Sequence, residues 1–316
     1  MQESNQAIAD DRSFIRAAEL WLPEGETLKP GGGHYGNAGG FADVTARTAF
    51  AKGEGLPGKA WEQRRALVLD RFNGSCFIRH EAAETAGLTC AVALPIFADQ
   101  VLKAILVVFC GGDADHVGAI EVWEERDGLL HLDDGYYGAS TDFAQASKDV
   151  TFARGQGLPG GVWSARTPIL MRDIGASQGF VRSDSAGRTG LKTGLGIPLP
   201  SPDGKVRVAT FLSAPNTPLA SRFEIWDARE ERVGSQRRAV RIDGICEREG
   251  PLWPKLNPPI DILGVHPWQG PIGQVLGTGL PHVVGNGVAL PAGYRSMVAV
   301  PIYRGETLAF ITAWYL

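Results

Sequence analysis

Three short runs in this chain alternate apolar and polar positions around an acidic residue and a tryptophan: AELWL at 18–22, AIEVW at 119–123 and RFEIW at 222–226. Period-two alternation of this kind predicts a strand with its Trp on one face. After the first run comes a second, more polar strand segment, which ends in turn residues at Gly31 to Gly33. FADVTARTAFA (41–51) spaces Phe41, Val44, Ala49 and Phe50 at helical intervals and predicts a helix. The turn Gly53-Glu54-Gly55-Leu56-Pro57-Gly58 leads into a short helix carrying Trp61, followed by the short strand ALVLD (66–70). FIRHEAAETAG (77–87) has the Ala and Glu content of a helix and stops on a Gly. TCAVALPIF (89–97) and VLKAILVVF (101–109), parted by Ala98-Asp99-Gln100, predict a hairpin of buried strands. The sum is an α+β layer, an antiparallel sheet with helices on one face.

That plan recurs. Pro95, Pro198 and Pro301 lie 103 residues apart, each inside a strand-like run, and Gly87, Gly190 and Gly293 stand eight residues before them. Leu88, Leu191 and Tyr294 follow those glycines. The Gly-rich turn returns as Gly155-Gln156-Gly157-Leu158-Pro159-Gly160 with Trp163, then PILMRD (168–173), and Phe77-Ile78-Arg79 returns as Phe180-Val181-Arg182. The third copy keeps less: Gln269-Gly270-Pro271-Ile272-Gly273 aligns with the turn, Leu276 replaces the Trp, and only GNGVALPAG (285–293) stands where the second helix would be. Self-similarity at a fixed period marks a repeat architecture, with boundaries expected at 12–112, 113–217 and 218–316 and one helix lost from the last. About a dozen residues separate Phe109 from the Trp123 strand, too few for a long connecting helix. The uncovered sheet faces are therefore expected to pack on one another, within the chain or across a homodimer.

These motifs, G-x-G-L-P-G-x-x-W, a strand ending in Asp70 or Asp173, F-x-R, then G-L and V-A-L-P-I, resemble the GAF domain over nearly all of the first two copies and half of the third. The resemblance implies three GAF-like units, each with a six-stranded antiparallel sheet and a small-molecule pocket between sheet and helices. It implies pocket residues Tyr35, Phe77, His80 and Cys90 in the first copy and Tyr137, Phe180, Ser183 and Thr193 in the second. The Asn-Lys-Phe-Asp-Glu signature of cyclic-nucleotide-binding relatives is missing. Cys76 precedes Phe77, not the His that follows a bilin-bearing Cys in such relatives, and His80 is four residues on. Free methionine sulfoxide reductase shares the fold, which makes a thiol redox enzyme centred on Cys76 and Cys90 the alternative; its further Cys near the Gly-rich turn has no counterpart here. No cofactor is identified by these residues.

Composition narrows the remaining classes. A formal charge of −4, with no basic run longer than Arg237-Arg238, lacks the electrostatic footprint of a nucleic-acid binder. Met1 to Asp11 is polar and acidic, and no window holds eighteen uninterrupted apolar residues, so neither a secretory leader nor a membrane span is predicted and the expected location is cytoplasmic. Four scattered cysteines without a C-x-x-C pair suggest reduced thiols. The six histidines show no i, i+4 pair, leaving a metal site without support. Gly53-x-Gly55-x-x-Gly58 matches the dinucleotide fingerprint as a bare pattern, yet a helical segment precedes it and a proline sits inside, so it reads as a tight turn needing φ > 0. Trp61 and Trp163 read as core before ligand caps, and Arg79 and Arg182 as partners of Asp70 and Asp173 before anion clamps. The expected function is a non-catalytic sensor or regulator that binds a small molecule and signals through a protein partner; a structural scaffold with filled pockets is the other non-catalytic reading.

Overall fold

The computed structural model describes residues 13–111, 115–229, 237–246, 250–252, 263–285, 290, 294 and 296–316. Met1 to Asp11, Gly293, most of the GNGVALPAG stretch and the expected junction at 112/113 lie outside the described residues. The first sheet holds β1 (Ile15–Glu24), β2 (Thr27–His34), β3 (Phe50–Ala51), β4 (Leu67–Leu69), β5 (Leu88–Ala98) and β6 (Val101–Gly111) in the order β3-β2-β1-β6-β5-β4, with helices α1 (Gly39–Thr45), α2 (Gly55–Gln63) and α3 (His80–Thr85) between strands. The second holds β7 (Val117–Arg126), β8 (Leu129–Gly138), β9 (Ile169–Arg172), β10 (Thr193–Leu199) and β11 (Arg207–Ser213) in the order β8-β7-β11-β10-β9, with α4 (Thr141–Lys148), α5 (Gly157–Ala165) and α6 (Ser183–Thr189). The third holds β12 (Arg222–Asp227), β13 (Ala239–Cys246), β14 (Gly250–Pro251), β15 (Gly264–Val265), β16 (His282–Val284), β17 (Met297–Arg304) and β18 (Thr307–Tyr315), with α7 (Gly270–Thr278). Its order is β14-β13-β12-β18-β17-β16, and β15 also pairs with β13. All strand pairs are antiparallel, and the sheets share one order of five strands.

The recurring prolines occupy equivalent places. Pro95 lies opposite Ile105, Pro198 opposite Val208 and Pro301 opposite Ile311. In every case the short edge strand makes its last pair two residues earlier, Leu67 with Ala93, Ile169 with Gly196 and His282 with Ala299. A residue without an N–H is tolerated where the neighbouring ladder has already ended.

Three local expectations change. Gly31 to Gly33 do not form a turn but continue β2 past a bulge opposite Leu20 and Trp21; glycine is needed at two of these positions because a Cβ on Gly31 would lie 2.5 Å from Leu22 and one on Gly33 2.7 Å from the Tyr35 ring, and at Gly32 because its φ is +127°. The helix expected over 41–51 ends at Thr45, since Phe50 is drawn into β3 opposite Leu28. The helix after the Gly-rich turn begins inside the motif, at Gly55 and Gly157. There Gly53 and Gly155 take φ of +85° and +89°, and the Gly53 N–H donates to the Gly58 carbonyl at 2.8 Å, so the motif is the tight turn. In the third copy Trp268 adopts the same left-handed conformation, φ +71°.

The strands have two buried faces, which is why CAVALPIF reads as a continuous apolar run. In β5, Cys90, Val92, Leu94 and Ile96 point to one core while Ala91, Ala93 and Phe97 point to another. The first core is shared: Val92 and Val108 of the first sheet meet Ile120, Leu195 and Phe211 of the second and Phe223, Val298 and Trp314 of the third. The sheet faces without helices thus cover one another within the chain. The edges close in sequence as well. β4 packs beside β8, with Arg65 Nη1 3.0 Å from Asp133; Arg172 at the end of β9 donates to Asp243 and to the Gly244 carbonyl of β13; and β16 packs beside β2. The three sheets form a ring, and each edge is shielded by the next sheet.

Hairpin tips gather at one end of this ring. The Asp99 N–H donates to the Gly305 carbonyl, Gln100 Nε2 to the Pro202 carbonyl and Ser201 Oγ to the Arg64 carbonyl. In the β10–β11 loop Arg207 bonds Asp203 at 3.0 and 2.8 Å and Glu124 at 2.8 Å. Burial alone would raise the Asp203 carboxyl, but hydrogen bonds from Arg207, Ser201 and the Lys205 N–H bring it down to about 2. An acid with a folded pKa below its unfolded value, ~3.9, adds stability above that value and loses it as pH falls through the folded one. Urea midpoints are expected to drop between about pH 5 and about pH 2, and less steeply in Asp203→Asn. A variant profile as steep as the native one would rule out this contribution.

Candidate functional site

Because β1 alternates, Glu19 and Trp21 share the face turned toward the helices, and Glu19 lies at its centre with no solvent exposure. An unpaired carboxylate could not be held there. Arg79, at the start of α3, meets it through two parallel bonds, Nη1 to Oε1 at 2.7 Å and Nη2 to Oε2 at 2.8 Å. Thr45 Oγ1, on the last turn of α1, bonds Glu19 Oε1 at 2.5 Å and accepts from Arg79, while Trp21 Nε1 donates to Oε2 at 3.1 Å. The guanidinium is enclosed by the rings of Trp21, Phe41, Phe50, Phe77 and Phe109, whose centroids lie 4.6–5.9 Å from its carbon.

The second sheet repeats the arrangement. Arg182 bonds Glu121 at 2.5 and 2.9 Å and Ser147 at 2.5 Å; Thr210, Trp123 and Tyr137 add bonds to the carboxylate at 2.8, 3.1 and 3.2 Å. Trp123, Phe143, Phe152 and Phe180 enclose the guanidinium. Burial alone would push the Glu121 carboxyl up, yet the Arg182 charge and the bonds from Arg182, Ser147 and Thr210 hold it below the usual carboxylate range. The third sheet keeps the acid and changes the base. Glu224 meets Arg222 of its own strand at 2.5 Å and Arg241 of β13 at 2.9 Å, with Trp226 Nε1 and Tyr315 OH each at 3.0 Å.

Of the residues expected at a pocket, Tyr35 and Phe77 converge on the Glu19–Arg79 pair, and Tyr137 and Phe180 on Glu121–Arg182. Burial and the neighbouring glutamate push the Tyr35 and Tyr137 hydroxyls well above the ordinary tyrosine value. His80 and Ser183 begin α3 and α6 and are half-buried. Thr193 lines a separate cavity of about 260 Å³ between the second and third sheets. Cys90 faces the shared core beside Cys110, where burial and that second thiol push its own thiol up, whereas Cys76 packs against the helix-side core. The first sheet stands between these two cysteines. Trp61 and Trp163 are half-buried and pack on the helix-side cores.

The partners expected for Arg79 and Arg182 are corrected. Asp70 and Asp173 end edge strands in solvent and lie 3.7 Å from Arg71 and 3.6 Å from Lys192, while the arginines turn inward to Glu19 and Glu121. The acid of the E-x-W triplet carried the signal for this, since a charge two residues from a core Trp shares its face.

No family model matches this chain, and no curated protein does. Solved structures similar to it are GAF domains and relatives. The A. aeolicus nlh2 GAF domain in an inactive state is 23% identical over 31% of this chain and 59% of its own, with a TM-score of 0.26. A GAF domain/HD domain protein from Geobacter sulfurreducens is 15% identical over 34% and 74%, with a TM-score of 0.28. Free methionine-R-sulfoxide reductase from Neisseria meningitidis in complex with its substrate is 14% identical over 34% and 59%, with a TM-score of 0.26. Each likeness spans about a third of this chain, and this chain spans less than two thirds of the first and last of these. Among the described residues no helix is long and apolar enough to cross a membrane, and no group of three His, Cys, Asp or Glu side chains is placed to hold a metal ion.

Proposed function

We propose that this chain is a non-catalytic sensory or regulatory protein in which three GAF-like units, 12–112, 113–217 and 218–316, act as one ring, bind a small molecule and pass the signal to a protein partner. The observation that carries this reading is the location of open space. The helix-side interiors of the first two sheets are filled by an ion pair and its aromatic rings, whereas cavities of about 500 and 260 Å³ lie where neighbouring sheets meet. A ligand at such a joint touches two units at once and can bias how they sit together, which is the physical requirement for regulation. The buried charges are paired with one another away from solvent, and acid–base work needs a group able to reach a substrate proton. Native mass spectrometry with an absorption spectrum of the purified protein tests the reading: a bound small molecule is expected, and a protein that carries none and takes up none from a metabolite extract would refute it.

The scaffold reading draws support from the same filled interiors and predicts no bound molecule. The thiol redox reading needs Cys76 and Cys90 to meet, and they lie on opposite faces of one sheet. Titration of the native protein with a thiol reagent is expected to modify Cys76 quickly and to leave Cys90 and Cys110 unmodified until unfolding. Rapid modification of Cys90, or methionine sulfoxide reduction abolished by Cys76→Ser, would favour the enzyme.

A further inference from the structure

The larger cavity exists because one of three equivalent aromatic positions holds a proline. Two residues after each recurring proline stand Phe97, Pro200 and Tyr303. Phe97 fills the helix-side core of the first sheet, and the Tyr303 hydroxyl donates to the Gly279 carbonyl at the end of α7. In the second sheet Pro200 offers no aromatic ring, strand pairing stops at Leu199 with Arg207, and about 500 Å³ stays open beside the last turn of α5. Trp163 and Leu199 supply apolar walls, and Tyr303 and Arg304 of the third sheet close the space from the other side.

Only part of its charge is neutralised locally. Lys205 and Arg207 are matched by Glu124 and Asp203. Arg166 has no acidic partner among the described residues, and Arg304 donates only to the neutral carbonyls of Ala165 and Arg166. Burial, with the charges of Arg229 and Arg166, holds the Arg304 guanidinium below its ordinary value against the opposing charge of Asp227, and the lining itself sets one acid, Asp99, against Arg166, Lys205, Arg207 and Arg304. An apolar cleft of this size with a few convergent polar groups has the make-up of a small-molecule site, and a guanidinium is the side chain best shaped for a planar carboxylate.

We propose that this cavity binds a small organic carboxylate, its flat apolar body against Trp163 and its carboxylate between Arg166 and Arg304. The inference rests on the regulatory reading and gives that reading its site: the ligand would bridge the second and third sheets. Titration calorimetry with 1-naphthoate as the probe tests it, with neutral 1-naphthamide for comparison. The naphthoate is expected to bind the native protein, about tenfold more tightly than the amide, about tenfold less tightly to Arg166→Gln, and not at all to Pro200→Phe, whose ring refills the space. No binding up to about 1 mM, equal affinity for acid and amide, or affinity unchanged in Arg166→Gln overturns the proposal. Circular dichroism checks Pro200→Phe; if it does not fold, the exposed Arg166→Gln substitution decides alone. Native mass spectrometry separates the two levels. A molecule co-purifying equally with the native protein and Arg166→Gln, with no naphthoate binding, removes this site and leaves the regulatory reading standing, whereas no co-purifying molecule, no uptake from a metabolite extract and no naphthoate binding together remove both.

Discussion

Arg79→Met is expected to destabilise the protein by about 3–5 kcal/mol at neutral pH, because it strips the paired base from a carboxylate that has no access to water. The Coulomb attraction within the native pair is not what sets this figure. Taking both charges out of water costs several kcal/mol per ion, and the pair with its bonds to Thr45 and Trp21 roughly offsets that. Removing one partner leaves the cost without the compensation. The double variant Glu19→Gln with Arg79→Met should therefore recover most of the loss, since Gln can accept from Trp21 through its amide oxygen and donate to Thr45 Oγ1 through its amide nitrogen, and carries no charge. Arg79→Lys should fall between, as an ammonium cannot bridge both carboxylate oxygens. The same ordering is expected for Glu121 and Arg182. Urea unfolding of the two singles and the double closes the cycle, and a double variant less stable than Arg79→Met would show that the charge pair is not what holds this interior.

Gly58→Ala and Gly160→Ala are expected to cost about 2–3 kcal/mol each or to prevent folding, the range for overpacking that backbone must absorb. A Cβ at these positions would lie 2.1 Å from the Ala51 carbonyl oxygen and 2.2 Å from that of Ala153. Neither oxygen can move, for both turns are closed by the bond from the Gly53 or Gly155 N–H to the carbonyl of the substituted glycine itself. Gly87 is the control: its φ of +70° strains a side chain, yet a methyl added there would meet no atom within 4 Å, so Gly87→Ala should cost only about 1 kcal/mol. Equal thermal shifts for Gly58→Ala and Gly87→Ala would contradict the steric account.

Local chemistry made much of this protein legible in its sequence. The 103-residue spacing of Pro95, Pro198 and Pro301, the Gly-rich turns and the hairpins after Gly87 and Gly190 are readable because each depends on residues near one another along the chain, where φ, the missing proline N–H and period-two alternation act directly. Alternation also placed Glu19 on the Trp21 face. It could not say that this face was dry, because β5 and its equivalents are apolar on both sides and carry no mark of which side meets water. Partners 60 and 61 residues apart, Glu19 with Arg79 and Glu121 with Arg182, were decided only when the helices closed over the sheets. The ring itself and the space beside Pro200 belong wholly to tertiary structure. They arise from three surfaces meeting, and whether a position at such a junction is filled depends on the volumes that neighbouring sheets bring to it.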